Sequence, residues 1–302
     1  MIQRIKKSSV KLYKLDLNRL ALYTKLIRLD KPIGILLLLW PTLWALFIAA
    51  DGMPNITILI IFILGVVLMR SAGCAINDYA DRNIDPLVAR TQQRPVASGL
   101  IEPKEALIVS AVLALLAFIL ALIFLNNLTI YFAIGAALLA ATYPFMKRFH
   151  FLPQVHLGLA FACSIPMAFT AITGDYPTPV AWLLFTCAVT WATAYDTLYA
   201  MADREDDIKI GVKSTAILFG PMDKAAIGLM QILVIVCLVL VGKNMNMGWM
   251  YYAGIAAASL FFVYQQMLIK HRFPDRCLNA FLNNQYFGLV VFIGIFAHYW
   301  FR

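Results

Sequence analysis

Nine apolar runs of roughly membrane-spanning length succeed one another along the chain, each ended by a short polar break. They cover 33–50, 56–69 with a continuation to about 76, 106–125, 128–146, 155–172, 180–202, 225–241, 250–269 and 286–301. A hydrocarbon core of about 30 Å is crossed by about 20 helical residues. Inside lipid a helix meets its own backbone hydrogen-bonding needs. The runs therefore predict an all-α, polytopic membrane protein with nine transmembrane helices. A mean hydropathy of +0.78 with 14% charged residues excludes an ordinary water-soluble domain.

Nine crossings put the termini on opposite sides, and the basic residues assign the sides. All of the 25 Lys and Arg except Lys243 and Arg302 fall in the N-terminal segment or in alternate loops on its side. By the positive-inside rule that face is cytoplasmic. The same rule accounts for the net charge of +9 without nucleic acid as a partner. Residues 1–31 read as a basic segment ahead of a transmembrane unit at 32–302. Within 1–31, Leu15, Leu22, Leu26 and Leu29 recur near helical spacing among Lys and Arg. That pattern suits either a helix lying in the headgroup region or a basic tail. The five cysteines and four histidines are dispersed and suggest neither a disulfide framework nor a soft-metal site.

Half of the 16 acidic residues lie in two short windows on this face. One is "NDYADRNID" at 77–85, with Asp78, Asp81 and Asp85; the other is "DTLYAMADREDD" at 196–207, with Asp196, Asp203 and Asp207 among its acids. On a continuing helix Asn77, Asp81 and Asp85 share one face, as do Asp203 and Asp207. Carboxylates stacked at i, i+4 repel, so each row calls for a cation. Oxygen-only ligand sets favour hard ions, and Mg²⁺ above all is shared between carboxylates and substrate phosphates. Arg90, Arg94, Lys209 and Lys213 follow closely and suit phosphate oxygens. Arg70, two turns before Asn77, is a further candidate for the same ligand. The residues alone also admit a cation-coupled transporter, in which intramembrane acids line an ion path.

Both windows resemble the motifs of the UbiA superfamily of intramembrane prenyltransferases, NDxxDxxxD and DxxxD. "YPFMKR", "LPQVHLG", "SIPMAF" and "AYDTLYAMADREDDIKIGVKSTAILFG" extend the likeness towards the members that prenylate 4-hydroxybenzoate. The resemblance implies helices bundled around a central cavity under a cytoplasmic cap, in the bacterial inner membrane. It implies Mg²⁺-dependent transfer of a polyprenyl group from its diphosphate to the carbon ortho to the hydroxyl of 4-hydroxybenzoate, for ubiquinone biosynthesis, with membrane lipid as surroundings. By motif position Asn77, Asp81, Asp85, Asp203 and Asp207 match the metal-binding set, with Asp78 grouped beside them. Asp196, Tyr143 and Lys147 match catalytic positions, and Arg148 is the choice for the benzoate carboxylate. A superfamily member with another acceptor would carry the same acidic motifs.

Overall fold

The computed structural model describes residues 18–302. Among the described residues there is no strand. A helical stretch at 18–26 leads to α1 (Ile33–Ala49), α2 (Ile56–Ala80), α3 (Pro103–Phe124) and α4 (Asn127–Met146). Next come α5 (Pro153–Ala162), α6 (Ser164–Thr173), α7 (Pro179–Ile210) and the short α8 (Thr215–Phe219). The chain ends with α9 (Asp223–Asn244), α10 (Trp249–Leu268) and α11 (Pro274–Trp300). Among the described residues, seven helical segments are long and apolar enough to cross a membrane, α5 and α6 together forming one of them. The protein is thus a multi-pass membrane protein. α1 is apolar but only 17 residues long, and α7 reaches 32 residues with an acid-rich end.

The run predicted at 155–172 is broken at Cys163, because Pro166 lacks an N–H and its ring crowds the carbonyl of Ala162. The Ser164 hydroxyl donates to the Phe161 carbonyl at 3.1 Å and accepts from Thr42 at 2.8 Å, so the break stays supplied with hydrogen bonds. Along α3 and α4, Ile108, Leu115, Ile123, Tyr131 and Leu138 all point outward and stand exposed. In water such a surface would aggregate; in lipid it is the solvated face.

Inside, Trp44 and Trp191 stack with ring centres 5.2 Å apart and are almost fully buried. Their indole N–H groups are satisfied, Trp44 by the Gly288 carbonyl at 3.1 Å and Trp191 by the Asn284 side chain at 2.9 Å. α10 and α11 approach closely at Gly254 and Gly294, where a Cβ on Gly254 would lie 2.8 Å from the Gly294 Cα.

Two helix ends decide where the acidic windows lie. α2 stops at Ala80, Asp81 caps it, and Asp85 opens a separate 3-10 turn, Asp85–Leu87. The expected single face through Asn77, Asp81 and Asp85 is therefore not formed on one helix. Pro86 disfavours a helical Asp85, and stacked carboxylates give the helix no reason to continue. α7 does continue through Asp203 and Asp207, and ends at Gly211 with φ +73°. That left-handed conformation suits glycine; it lets the Val212 N–H reach the Asp207 carbonyl at 2.9 Å and the Lys213 N–H reach the Lys147 carbonyl at 3.1 Å.

At the N-terminal side, Leu26 is fully buried with Ala75, Val96, Ile101 and Ala106, flanked by Leu22 and Tyr23. These side chains face protein, whereas Leu29 is exposed. Leu15, with the rest of 1–17, lies outside the described residues.

Candidate active site

The two acidic windows meet. A cavity of about 120 Å³ is walled by Asn77, Asp81 and Asp85 from the first and by Asp196, Asp203 and Asp207 from the second. Arg90, Arg94, Tyr143, Lys147 and Lys213 also line it. The α2–α3 connection carries the two arginines over the cavity, and the end of α4 brings Tyr143 and Lys147 from the side.

Basic side chains bridge the acids. Arg90 forks onto Asp203, Nε to Oδ1 at 2.9 Å and NH2 to Oδ2 at 2.5 Å, with its guanidinium 4.3 Å from the Tyr199 ring centre. This contact ties the loop that follows the first window to the second window. Lys147 Nζ donates to Asp81 Oδ2 at 2.6 Å, and Arg94 NH1 donates to both oxygens of Asp85 at 3.1 and 2.9 Å. Burial pushes the Asp81 carboxyl above the usual carboxylate range, with Lys147 pulling the other way. Asp196 and Asp207 have no side-chain hydrogen-bond partner among the described residues.

The walls fit a hard divalent ion. They offer carboxylate and amide oxygens, and the buried Asp81 Oδ1 has no hydrogen-bond partner among the described residues. No ready-made cluster of three acidic, His or Cys ligands exists among those residues. The reason is that arginine and lysine stand between the carboxylates. Small-molecule sites usually hold about 300–1,000 Å³; at about 120 Å³ this cavity is smaller, with basic side chains among its lining.

Other expected site residues lie off the cavity wall. Asp78, 1% exposed, turns to Arg28 at 2.8 Å and Arg94 at 3.5 Å, off the wall that Asn77, Asp81 and Asp85 form. Lys209 reaches outward to Asp206 at 3.5 Å, one helical turn behind it, because the chain does not reverse until Gly211. Arg70 is packed beneath Gly34, donating to Cys74 Sγ at 3.1 Å and lying 5.8 Å from the Phe161 ring centre. Arg148 donates to the Ala80 carbonyl and stands 3.9 Å from Asp81, behind Lys147.

The lining also includes Tyr199, Thr91 and Gln154, which the sequence motifs did not single out. Tyr199 could have been found, since it precedes Asp203 by four residues on the same helical face. Thr91 folds the loop by donating to the Asp85 carbonyl at 2.9 Å. Gln154 accepts the Thr215 N–H at 3.0 Å, a long-range contact with no local signal.

The chain is similar in sequence and in fold to known proteins. A 4-hydroxybenzoate octaprenyltransferase of Saccharophagus degradans is 55% identical over 276 residues, which is 91% of this chain and 92% of that protein. One of Methylococcus capsulatus is 54% identical, covering 93% of this chain and 96% of its own. Among solved structures, an apo UbiA homologue from Aeropyrum pernix superposes with a TM-score of 0.76 at 24% identity, over 87% of this chain and 97% of that one. A UbiA homologue from Archaeoglobus fulgidus, bound to GPP and Mg²⁺, gives 0.71 at 19% identity over 92% and 99%. With the UbiA prenyltransferase family matching residues 38–294, the chain belongs to that family.

Proposed function

We propose that the protein transfers a polyprenyl group from polyprenyl diphosphate to the carbon ortho to the hydroxyl of 4-hydroxybenzoate, giving 3-polyprenyl-4-hydroxybenzoate for ubiquinone biosynthesis. One observation carries the reading: two acidic rows and four cationic side chains, Arg90, Arg94, Lys147 and Lys213, wall a single cavity. Relatives above half identity bear the name of that activity. A cation path gives no role to the arginines and lysine set against its acids, whereas a diphosphate bound with its metal ion uses both.

Asn77, Asp81, Asp85, Asp203 and Asp207 would hold Mg²⁺, which when bound supplies Lewis-acid withdrawal of charge from the departing diphosphate. The complex of the archaeal homologue with GPP and Mg²⁺ supports a divalent ion beside a prenyl diphosphate. Arg90 and Arg94 exchange part of their carboxylate contacts for phosphate oxygens, and Lys213 adds a third donor. The allylic carbon–oxygen bond breaks with its electron pair going to the diphosphate. The Tyr143 and Tyr199 rings flank the resulting allylic cation and keep water from it. The ring carbon beside the phenol forms the new carbon–carbon bond, and its proton passes to the Asp196 carboxylate.

The described helices supply nine crossings when α1 and α7 are counted with the seven, with the N-terminus and the cavity on the cytoplasmic side of the bacterial inner membrane. The prenyl tail then stays in lipid while its charged head meets the arginines. The decisive assay incubates membranes containing the chain with polyprenyl diphosphates, Mg²⁺ and 4-hydroxybenzoate. Mass spectrometry of the lipid extract should show the ring-prenylated acid, and its absence with every diphosphate chain length would sink the reading.

A further inference from the structure

Arg28 lies 50 residues before Asp78 and outside the cavity lining, yet it is built into the acidic site. Its NH2 donates to Asp78 Oδ1 at 2.8 Å and its NH1 to the Lys25 carbonyl at 2.9 Å. Its backbone sits at φ +60°, a region that residues with a Cβ avoid unless their surroundings hold them there. The surroundings do hold it. Leu26 is sunk among Ala75, Val96, Ile101 and Ala106, while Tyr23 donates to Glu105 at 2.7 Å and Arg19 to the same carboxylate at 3.2 Å. The stretch 18–31 is thus fastened at three points across the base of the first acidic window.

The consequence runs through Arg94. Its NH1 is shared, 2.9 Å from Asp85 Oδ2 and 3.5 Å from Asp78 Oδ1. Asp78 is 1% exposed and one of its oxygens has no hydrogen-bond partner among the described residues. Without Arg28, this buried carboxylate would have Arg94 as its one remaining cation among the described residues, and would draw it off Asp85.

We infer that Arg28 is a positioning residue: by neutralising Asp78 from the N-terminal strap, it leaves Arg94 free to hold Asp85 on the cavity wall. The inference rests on the reading of Asp85 as part of the Mg²⁺ and diphosphate site. Its test is the Mg²⁺ concentration that half-saturates the rise in thermal-unfolding midpoint of the purified full chain, with geranyl diphosphate as the probe. Glycine accepts φ +60° without strain, so Arg28→Gly relieves the backbone and removes the side chain alone. We expect it to need about 10- to 100-fold more Mg²⁺ than wild type, and Arg28→Lys to recover most of the loss. If Arg28 served only the turn, Arg28→Gly would bind like wild type, and that result overturns the inference.

Should Arg28→Gly not yield folded protein, Arg28→Gln decides: it keeps a side chain at this position and removes the charge that faces Asp78, and an unchanged Mg²⁺ requirement there overturns the inference. A wild type that shows no Mg²⁺-dependent shift and no prenylation of 4-hydroxybenzoate overturns the functional reading and this inference with it. A wild type that shows both, beside an Arg28→Gly of unchanged requirement, overturns the inference alone.

Discussion

The two acidic windows share the spacing Asp-x-x-x-Asp but are built in opposite ways. In the first, the helix ends at Ala80 and the acids scatter over a cap and a 3-10 turn, each fixed by a basic partner: Asp78 by Arg28, Asp81 by Lys147, Asp85 by Arg94. In the second, the acids ride an unbroken helix, and of those lining the cavity only Asp203 is bridged among the described residues, by Arg90 from the loop that follows the first window. The first window is therefore compensated before any ligand arrives. The second leaves the Asp196 and Asp207 carboxyl groups on the cavity wall without a bridging basic side chain among the described residues. An incoming cation gains most by bringing the second row to the first.

Removing the divalent ion should erase that gain entirely. EDTA is expected to abolish prenylation in membranes and added Mg²⁺ to restore it; turnover persisting through thorough chelation would break the comparison at its base.

Single carboxylates come next. Asp81→Asn and Asp203→Asn should each cut turnover by about 100-fold or more, yet differ in stability. Asp81 is almost wholly buried against Lys147, so neutralising it strands a cation and should cost about 3 kcal/mol in a detergent unfolding titration. Asp203 is bridged nearer the surface, and its loss should cost under about 1 kcal/mol. Equal destabilisation by the two variants would mean that the windows are compensated alike.

The bridge itself can be weakened without removing charge. Arg90 uses two nitrogens on Asp203 and a flat face over Tyr199. Lysine supplies a point charge with neither fork nor face. Arg90→Lys should therefore raise the KM for polyprenyl diphosphate about tenfold, roughly 1.4 kcal/mol, while leaving the KM for 4-hydroxybenzoate near wild type. A shift confined to the aromatic substrate would move Arg90 to the other pocket.

Legibility in the sequence differs between the acids and their partners. The spans and the acid-rich windows were legible because lipid permits few charges, so eight clustered acids stand out. The end of α2 was legible too, in Pro86, but the attractive i, i+4, i+8 register of Asn77, Asp81 and Asp85 masked it. The pairings were not. Arg28 with Asp78, Lys147 with Asp81 and Arg90 with Asp203 join positions 50 to 113 residues apart, and no periodicity relates such positions. Arg70 shows the converse: its helical register put it near the motif, and packing under Gly34 took it off the cavity wall.

Lys209 and Lys213 give the smallest expected effect and the finest test. Both follow the second acidic row within six residues of Asp207, and by composition they are equivalent phosphate donors. Gly211 separates them. Before it, Lys209 stands on the outer face of α7, 70% exposed and beside Asp206; after it, the reversed chain brings Lys213 to the cavity wall with its Nζ 3.0 Å from the Phe149 carbonyl. An exposed i, i+3 pair contributes little, so Lys209→Ala should leave kcat and both KM values within about twofold of wild type. Lys213→Ala removes a donor at the cavity and should raise the diphosphate KM several-fold, about 1 kcal/mol. If Lys209→Ala proved the more damaging, the end of α7 would have to turn the other way round on its ligand, and the second window would be as remodelled by binding as the first is fixed before it.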